Sequence, residues 1–171
     1  MLSTDLMTDA FGRVREAVHA ALVGAGPALL AYRADHEANT IGWLIWRLTR
    51  VQDDHVADLM GEPQVWTTGG WQKRFNLPFA AGATGYGQSS AEVAAVRVGA
   101  DLLLGYFDAV HERTIDYLGT LHEDDFSRIV DTRWTPPVTL AVRLVSVIGD
   151  DLEHAGQAAF VRGLAMRAGL H

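Results

Sequence analysis

The stretch VTLAVRLVSVIGDDLEHAGQAAFVRGLA, residues 138–165, carries the most regular apolar periodicity in the chain. Leu140, Leu144, Val147, Asp151, His154, Ala158, Val161 and Ala165 recur at alternating steps of four and three. Such steps put all of them on one stripe of a helix, the stripe that faces a core. Two of these positions are ionisable, and Asp150 sits one turn before His154 on the shoulder of the stripe. An unpaired charge is costly in a core. These groups therefore have to meet a metal ion, a cationic side chain or trapped water. Thr135-Pro136-Pro137 just upstream suits a helix start, where the missing proline N–H has no helical partner to lose.

Three further helices emerge from the same reading. The first spans about Thr4 to Val23, with Leu6, Phe11, Val14, Val18 and Leu22 as its stripe and Gly24-Ala25-Gly26-Pro27 as its end. The second runs from about Thr40 to Met60 behind Asn39, a candidate N-cap. Ile41, Leu44, Leu48, Val51, His55 and Leu59 share one of its faces, and Gly61 and Pro63 stop it. The third opens at Ser89, where Ser89 and Glu92 have capping-box spacing. Its rhythm of Val93, Val96, Ala100, Leu103, Phe107, Val110, Thr114, Leu118 and Leu121 predicts about eight unbroken turns. The expected fold is an all-α four-helix bundle, one domain over residues 1–171. Gly61 to Gln88 forms a long connection with Trp66, Trp71, Phe75, Phe79 and Tyr86 set among glycines. So many large aromatics predict a folded crossover packed over one end of the bundle rather than disorder.

Composition narrows the function. The formal net charge of −7, without a basic cluster, argues against nucleic acid and against an anionic membrane surface. The absence of cysteine removes disulfides, thiolate metal sites and a cysteine nucleophile. No segment has the length of a membrane span, and the start Met1-Leu2-Ser3-Thr4-Asp5 lacks a signal-peptide layout, so a cytoplasmic protein is expected. The glycines at Gly82, Gly85 and Gly87 lack the strand-before, helix-after setting of a phosphate loop.

The polar residues of the inner faces cluster. The second helix offers Arg47, Asp54 and His55, and the fourth offers Asp150, Asp151, His154 and Gln157. Carboxylates and imidazoles from facing helices are how bundles build metal sites, and an Asp-x-x-x-His pair supplies two of the three protein ligands of an open divalent site. Of the doubled acids, Asp54 and Asp150 are expected to point inward and Asp53 outward. Trp43 and Trp46 read as packing residues. Trp66 and Trp71 read as anchors of the crossover that also lie where a pocket wall would be. His19, His36, His111, His122 and His171 have no evident partner.

Asn39-Thr40-Ile41-Gly42-Trp43-Leu44-Ile45-Trp46-Arg47-Leu48-Thr49-Arg50, with Val51-Gln52-Asp53-Asp54-His55-Val56 after it, resembles the DinB-like superfamily. So do Gly69-Gly70-Trp71, Gly85-Tyr86-Gly87 and Asp150-Asp151-Leu152-Glu153-His154-Ala155-Gly156-Gln157. The resemblance implies an up-down-down-up bundle with its long crossover between the second and third helices, and often a homodimer. It also implies a divalent metal such as zinc or nickel, held by a histidine on the second helix and a pair on the last one. Activity with a low-molecular-weight thiol is implied by relatives such as the mycothiol-dependent maleylpyruvate isomerases and thiol transferases. Carried onto this chain, the last-helix pair is Asp150 and His154, and the second-helix position is Arg47. Arginine has no lone pair to offer a cation. Two readings stay open. Either Arg47 replaces the metal and forks onto Asp150 or Asp54, or His55 supplies the ligand and Arg47 turns aside. Function is correspondingly open between a metal- and thiol-dependent transferase, isomerase or hydrolase and a non-catalytic, metal-free small-molecule binder.

Overall fold

The computed structural model describes residues 2–170; Met1 and His171 lie outside the described residues. Four long helices make up the body: α1 (Ser3–Leu22), α3 (Ile41–Met60), α7 (Ala100–Gly119) and α8 (Leu140–Arg167). Short helices α2 (Pro27–Leu30), α4 (Val65–Thr68), α5 (Trp71–Phe75) and α6 (Ser90–Ala95) lie in the connections. A 3-10 turn over Glu123–Ser127 leads into an antiparallel pair, β1 (Ile129–Asp131) and β2 (Val138–Thr139).

Two apolar clusters give the direction of each helix. One joins Met7 and Phe11 of α1 to Val56 of α3, Leu118 of α7 and Leu144 of α8. The other joins Val18 and Leu22 to Leu44, Leu103 and Ala158. The start of α1 and the start of α8 thus share an end of the bundle with the close of α3 and the close of α7. That is up-down-down-up. The most extensive contact is α3 on α8; α1 lies against α7 and α8, and α3 against α7.

Local chemistry sets the boundaries, and several differ from the sequence expectation. Thr40, not Asn39, caps α3, its Oγ1 accepting from the Trp43 N–H at 3.0 Å. Leu6 is exposed and Met7 takes its place in the core, which rotates the start of the α1 stripe by one residue. α8 starts at Leu140 because Val138 and Thr139 pair with β1, and Thr139 then serves as the cap. The expected third helix is two helices. Residues 96–99 leave the helical path between α6 and α7. The break brings the Val96 carbonyl over Gly42, 3.3 Å from where a Cβ would stand, with the Leu30 carbonyl at 3.4 Å. The glycine lets two backbone segments close on the start of α3. The capping box of Ser89 and Glu92 is present at the start of α6.

The crossover is folded, and a buried polar knot ties it down. Asp53 is almost wholly buried, contrary to the expectation that it faces outward. Its carboxylate accepts from the N–H groups of Val65 (2.9 Å) and Trp66 (2.8 Å) at the start of α4, and from the Tyr106 hydroxyl of α7 at 2.7 Å. Arg50, also buried, lies 3.7 Å from Asp53 and donates to the Gln64 side chain (2.8 Å), the Ala83 carbonyl (3.1 Å) and the Tyr106 oxygen (3.2 Å). Its guanidinium also stacks 4.8 Å from the Trp66 ring. Burial pushes the Tyr106 phenol well above its ordinary range, so it stays a donor. Removing one partner of a buried pair leaves the other uncompensated. Asp53→Ala is expected to lose about 3–5 kcal/mol of stability in urea denaturation. Tyr106→Phe should lose about 1–3 kcal/mol, the cost of one unmade buried hydrogen bond. A loss below about 1 kcal/mol in Asp53→Ala contradicts this role.

Candidate functional site

A cleft of about 390 Å³ opens between α3, α8 and the crossover, lined by Arg47, Val51, Asp54, His55, Thr84, Tyr86, Ser146 and Asp150. Antiparallel packing of α3 on α8 places residue 47 beside 150 and residue 55 beside 143. Arg47 forms the floor. Its Nη1 donates to the Thr84 carbonyl at 2.8 Å, and its Nη2 stands 3.8 Å from Asp150 Oδ1. The crossover presses directly onto it at Gly85. With φ of +90°, that residue leaves no room for a Cβ, which would lie 2.8 Å from Arg47 Cδ and 3.2 Å from the Trp43 ring. Glycine is required there on both counts.

Asp150 is half-buried, and its Oδ2 is a buried oxygen without a hydrogen-bond partner among the described residues. His154, one turn on, directs Nδ1 to the Asp150 main-chain carbonyl at 2.7 Å, with Asp150 Oδ2 3.5 Å away. A carbonyl only accepts, so Nδ1 carries a proton and Nε2 of the neutral ring keeps its lone pair. The ring lies 6.2 Å from that of Trp43, whose Nε1 donates to Gln88 at 2.7 Å. Arg47, Asp150 and His154 are therefore one cluster, as the two-helix reading expects.

His55 is held differently. Arg143 Nη1 donates to its Nδ1 at 3.0 Å, which leaves the proton of the neutral ring on Nε2. Burial, then the Arg143 charge, lower its pKa against the pull of Asp54, Asp150 and Asp58, and so favour the neutral form. Arg143 is itself bound at 2.8 Å by Asp131, which also takes the Arg133 side chain. The bonds from Arg133, then that from Arg143, hold the Asp131 carboxyl well below the usual carboxylate range. His55 and Ser146 also line a second hollow of about 420 Å³ with Asp131, Arg133, Trp134, Val138 and Arg143, so the cleft continues toward the β hairpin.

Other expected residues lie elsewhere. Asp54 faces the cleft, but Gln64 binds it at 2.6 Å and Arg47 does not fork onto it. Asp151 is fully buried with both oxygens unpartnered among the described residues; burial and the neighbouring Asp150 push its pKa well up, so the acid is neutral. That reconciles its seam position with its charge. Trp66 and Trp71 do not wall the cleft. They pack on Tyr106 at ring distances of 5.1 and 5.7 Å and anchor the crossover. Gln157 lines a separate apolar hollow with Ala34, Ala38 and Phe160. Thr84, Tyr86, Ser146 and Arg143 line or frame the cleft; only Tyr86 had a sequence signal, the Gly85-Tyr86-Gly87 motif, and loops and an opposite helix bring the others there.

The donor set can be weighed against the metal implied by the resemblance. Asp150 Oδ2 and the His154 Nε2 lone pair are suited to a cation. The third position presents a guanidinium, and His55 presents an N–H. Among the described residues no three His, Asp or Glu side chains gather closely enough to hold an ion. The residues present do not fit a three-ligand divalent centre.

The family model described as mycothiol-S-transferase matches residues 6–166, nearly the whole chain. The chain belongs to that family, which is DinB-like, as its motifs imply. It is also similar to a conserved protein from Enterococcus faecalis of known crystal structure, with a TM-score of 0.90, 30% identity and coverage of 97% of this chain and 98% of that one. No curated protein matches. None of the helices described is long and apolar enough to cross a membrane.

Two measurements check the site. Arg47→His should gain about one equivalent of tightly bound zinc or nickel by calorimetric titration, while the wild-type chain takes up none; tight uptake by the wild type contradicts the donor geometry. Asp151 has a raised pKa in the folded state, so its contribution is complete below the unfolded value of about 4 and is lost as pH climbs through the folded value. Against Asp151→Asn, the wild-type folding constant should therefore fall by up to about tenfold per pH unit above pH ~4. Parallel stability profiles would show that the acid titrates normally.

Proposed function

We propose that this member of the mycothiol-S-transferase family binds a low-molecular-weight thiol in the Arg47–Asp150 cleft and joins it, through its sulfur, to a small electrophile. The observation that carries the reading is the pairing at the cleft floor. Arg47 Nη2 has only a loose 3.8 Å contact with Asp150, and Asp150 Oδ2 has no hydrogen-bond partner among the described residues. A cation with a spare donor faces the Oδ1 of that carboxylate at a distance too long for a hydrogen bond, and Arg47 and Asp150 both border a space large enough for a small molecule. The thiol S–H gives its proton to Asp150 Oδ1, the carboxylate oxygen on the Arg47 side, and the thiolate is held by Arg47. Sulfur then forms a bond to the electrophilic carbon as that carbon's bond to its leaving group breaks, and the leaving group departs with the electron pair. His55 Nε2–H, facing the same cleft, donates to the departing or developing anion. No step passes through a metal. A reducing cytoplasm suits this chemistry, and the chain has no cysteine of its own to compete for the electrophile.

A second reading rests on a different contact. Arg47 Nη1 holds the Thr84 carbonyl, so the guanidinium also braces the crossover. In that reading the bundle binds a small molecule without catalysis.

Mycothiol, added at about 100 times its dissociation constant, should stabilise the protein by about 2.7 kcal/mol. With an electrophile such as 1-chloro-2,4-dinitrobenzene it should be consumed faster than without protein. Arg47→Met is expected to lose both effects, and Asp150→Asn to keep binding while losing turnover by about 100-fold or more. Stabilisation without turnover in the wild type selects the binding-only reading; neither effect refutes both.

A further inference from the structure

The turn between β1 and β2, residues 132–137, is exposed throughout, yet one acid fixes its cation in place. Asp131 closes β1 opposite Val138, and its carboxylate is 4% exposed. It accepts from the Arg133 main-chain N–H (2.9 Å), from Arg133 Nε (2.9 Å) and Nη2 (2.8 Å), and from Arg143 Nη2 of α8 (2.8 Å). The Arg133 side chain is 80% exposed, so holding it this way costs rotamer freedom. Two parallel bonds to one carboxylate set the plane of the guanidinium. Its Nη1 has no hydrogen-bond partner among the described residues, and the Nη1–Nη2 edge is left for a second carboxylate. Next to it Trp134 is 65% exposed, while the other four tryptophans are buried. An open indole beside a fixed cation in a hollow is the make-up of a ligand wall.

Arg133 and Trp134 line the hollow of about 420 Å³ that shares His55 and Ser146 with the Arg47–Asp150 cleft. The two lobes differ in sign. In the cleft Asp54 and Asp150 face Arg47 alone, which leaves one excess negative charge. In the hollow Arg133 and Arg143 face Asp131 alone, which leaves one excess positive charge, and His55 is held neutral by its bond from Arg143. Asp58 of α3 also acts on Arg133, but it is exposed and does not line the hollow, so water and salt screen it. An anionic ligand entering this continuous space is repelled by the two acids of the cleft and drawn to the hairpin lobe. The single excess charge matches a monoanion.

We infer that the hairpin hollow binds an aryl carboxylate and holds it as the electrophile, the carboxylate on Arg133, the ring against Trp134 and the reacting carbon at the His55–Ser146 junction. This rests on the reading that the cleft joins a thiol to an electrophile. A halogenated nitrobenzoate is the simplest ligand of the class. The thiolate sulfur bonds to the ring carbon that carries the halogen, and an electron pair of the ring moves onto the nitro group. That pair returns as the carbon–halogen bond breaks, and the halide leaves with the bonding electrons. The thiol proton, already on Asp150, passes to water. His55 Nε2–H donates to the negative charge that develops on the way. Arg133 touches none of the reacting atoms; it positions the ring, so its effect belongs to binding.

3,5-Dinitrobenzoate has no leaving group, so it tests the hollow without turnover. It should bind the wild-type chain in the absence of thiol and quench tryptophan fluorescence, and Trp134→Phe should remove most of that quenching. 1,3-Dinitrobenzene, which lacks the carboxylate, should bind about tenfold more weakly, as the loss of one charge-assisted pair implies. Arg133→Gln should bring the two affinities together, and Arg133→Lys, which restores the charge without the fork, should recover part of the difference. With mycothiol, 4-chloro-3,5-dinitrobenzoate should exceed 1-chloro-2,4-dinitrobenzene about tenfold in kcat/KM once each is divided by its uncatalysed rate, and Arg133→Gln should remove that advantage through KM. Equal wild-type affinity for the acid and the neutral ring overturns the inference, and so does an Arg133→Gln variant that keeps the preference. Consumption of the neutral chloroarene with no preference for the acid overturns it while the thiol reading stands. Preferential binding of the acid with neither chloroarene consumed refutes the thiol reading alone, and the hollow remains an aryl carboxylate site.

Discussion

The Asp53 carboxylate is the point on which the rest of the molecule depends. A long aromatic crossover has to leave α3, fold back and deliver residues 84–87 to the α3–α8 seam. Apolar contact alone does not choose one path for so many glycines. Asp53 chooses it by accepting two N–H groups at the start of α4 and the Tyr106 hydroxyl of α7 in the same pocket. Arg50 closes the knot, reaching Gln64 and the Ala83 carbonyl, two distant points of the crossover. Buried ions are retained only with such extensive partnering, and what they contribute here is register rather than a large net energy.

That register reaches the cleft. With Ala83 tied to Arg50, the next residues fall over Arg47, and Gly85 permits the contact. Arg47 is thereby held as a fixed cation in front of Asp150. A guanidinium stands at the position where the DinB-like resemblance implies an imidazole, and His55, the other ligand candidate on α3, presents an N–H because Arg143 binds its Nδ1. Both changes point the same way electrostatically. Under the proposed function, both give the cleft donors for an anion or thiolate rather than ligands for a cation.

Much of this is legible in the sequence. The three-four steps of α1, α3 and α8 specify the bundle, and the paired acids with His154 locate the cluster on α8. The mismatches arise from features that periodicity does not encode. The run from Val93 to Leu121 keeps a helical rhythm across residues 96–99, yet the helix breaks, because docking against Gly42 outweighs one continuous turn. Asp53 and Asp54 are indistinguishable by type, and their burial depends on where α4 starts. Leu6 and Met7 exchange roles through a rotation of α1 too small for its stripe to reveal.

The amino-acid order by itself determined the helices, their amphipathic faces and the residue types available to the α3–α8 seam, because these depend on a spacing of about 3.6 residues per turn and on local capping chemistry. Only the tertiary structure decided which of those residues meet. Arg143 reaches His55 across 88 positions and Thr84 reaches Arg47 across 37, and such contacts are set by the packing of helices and the tethering of a loop. Proton placement on an imidazole, or neutrality of a buried acid such as Asp151, depends on those neighbours, and no local pattern records them.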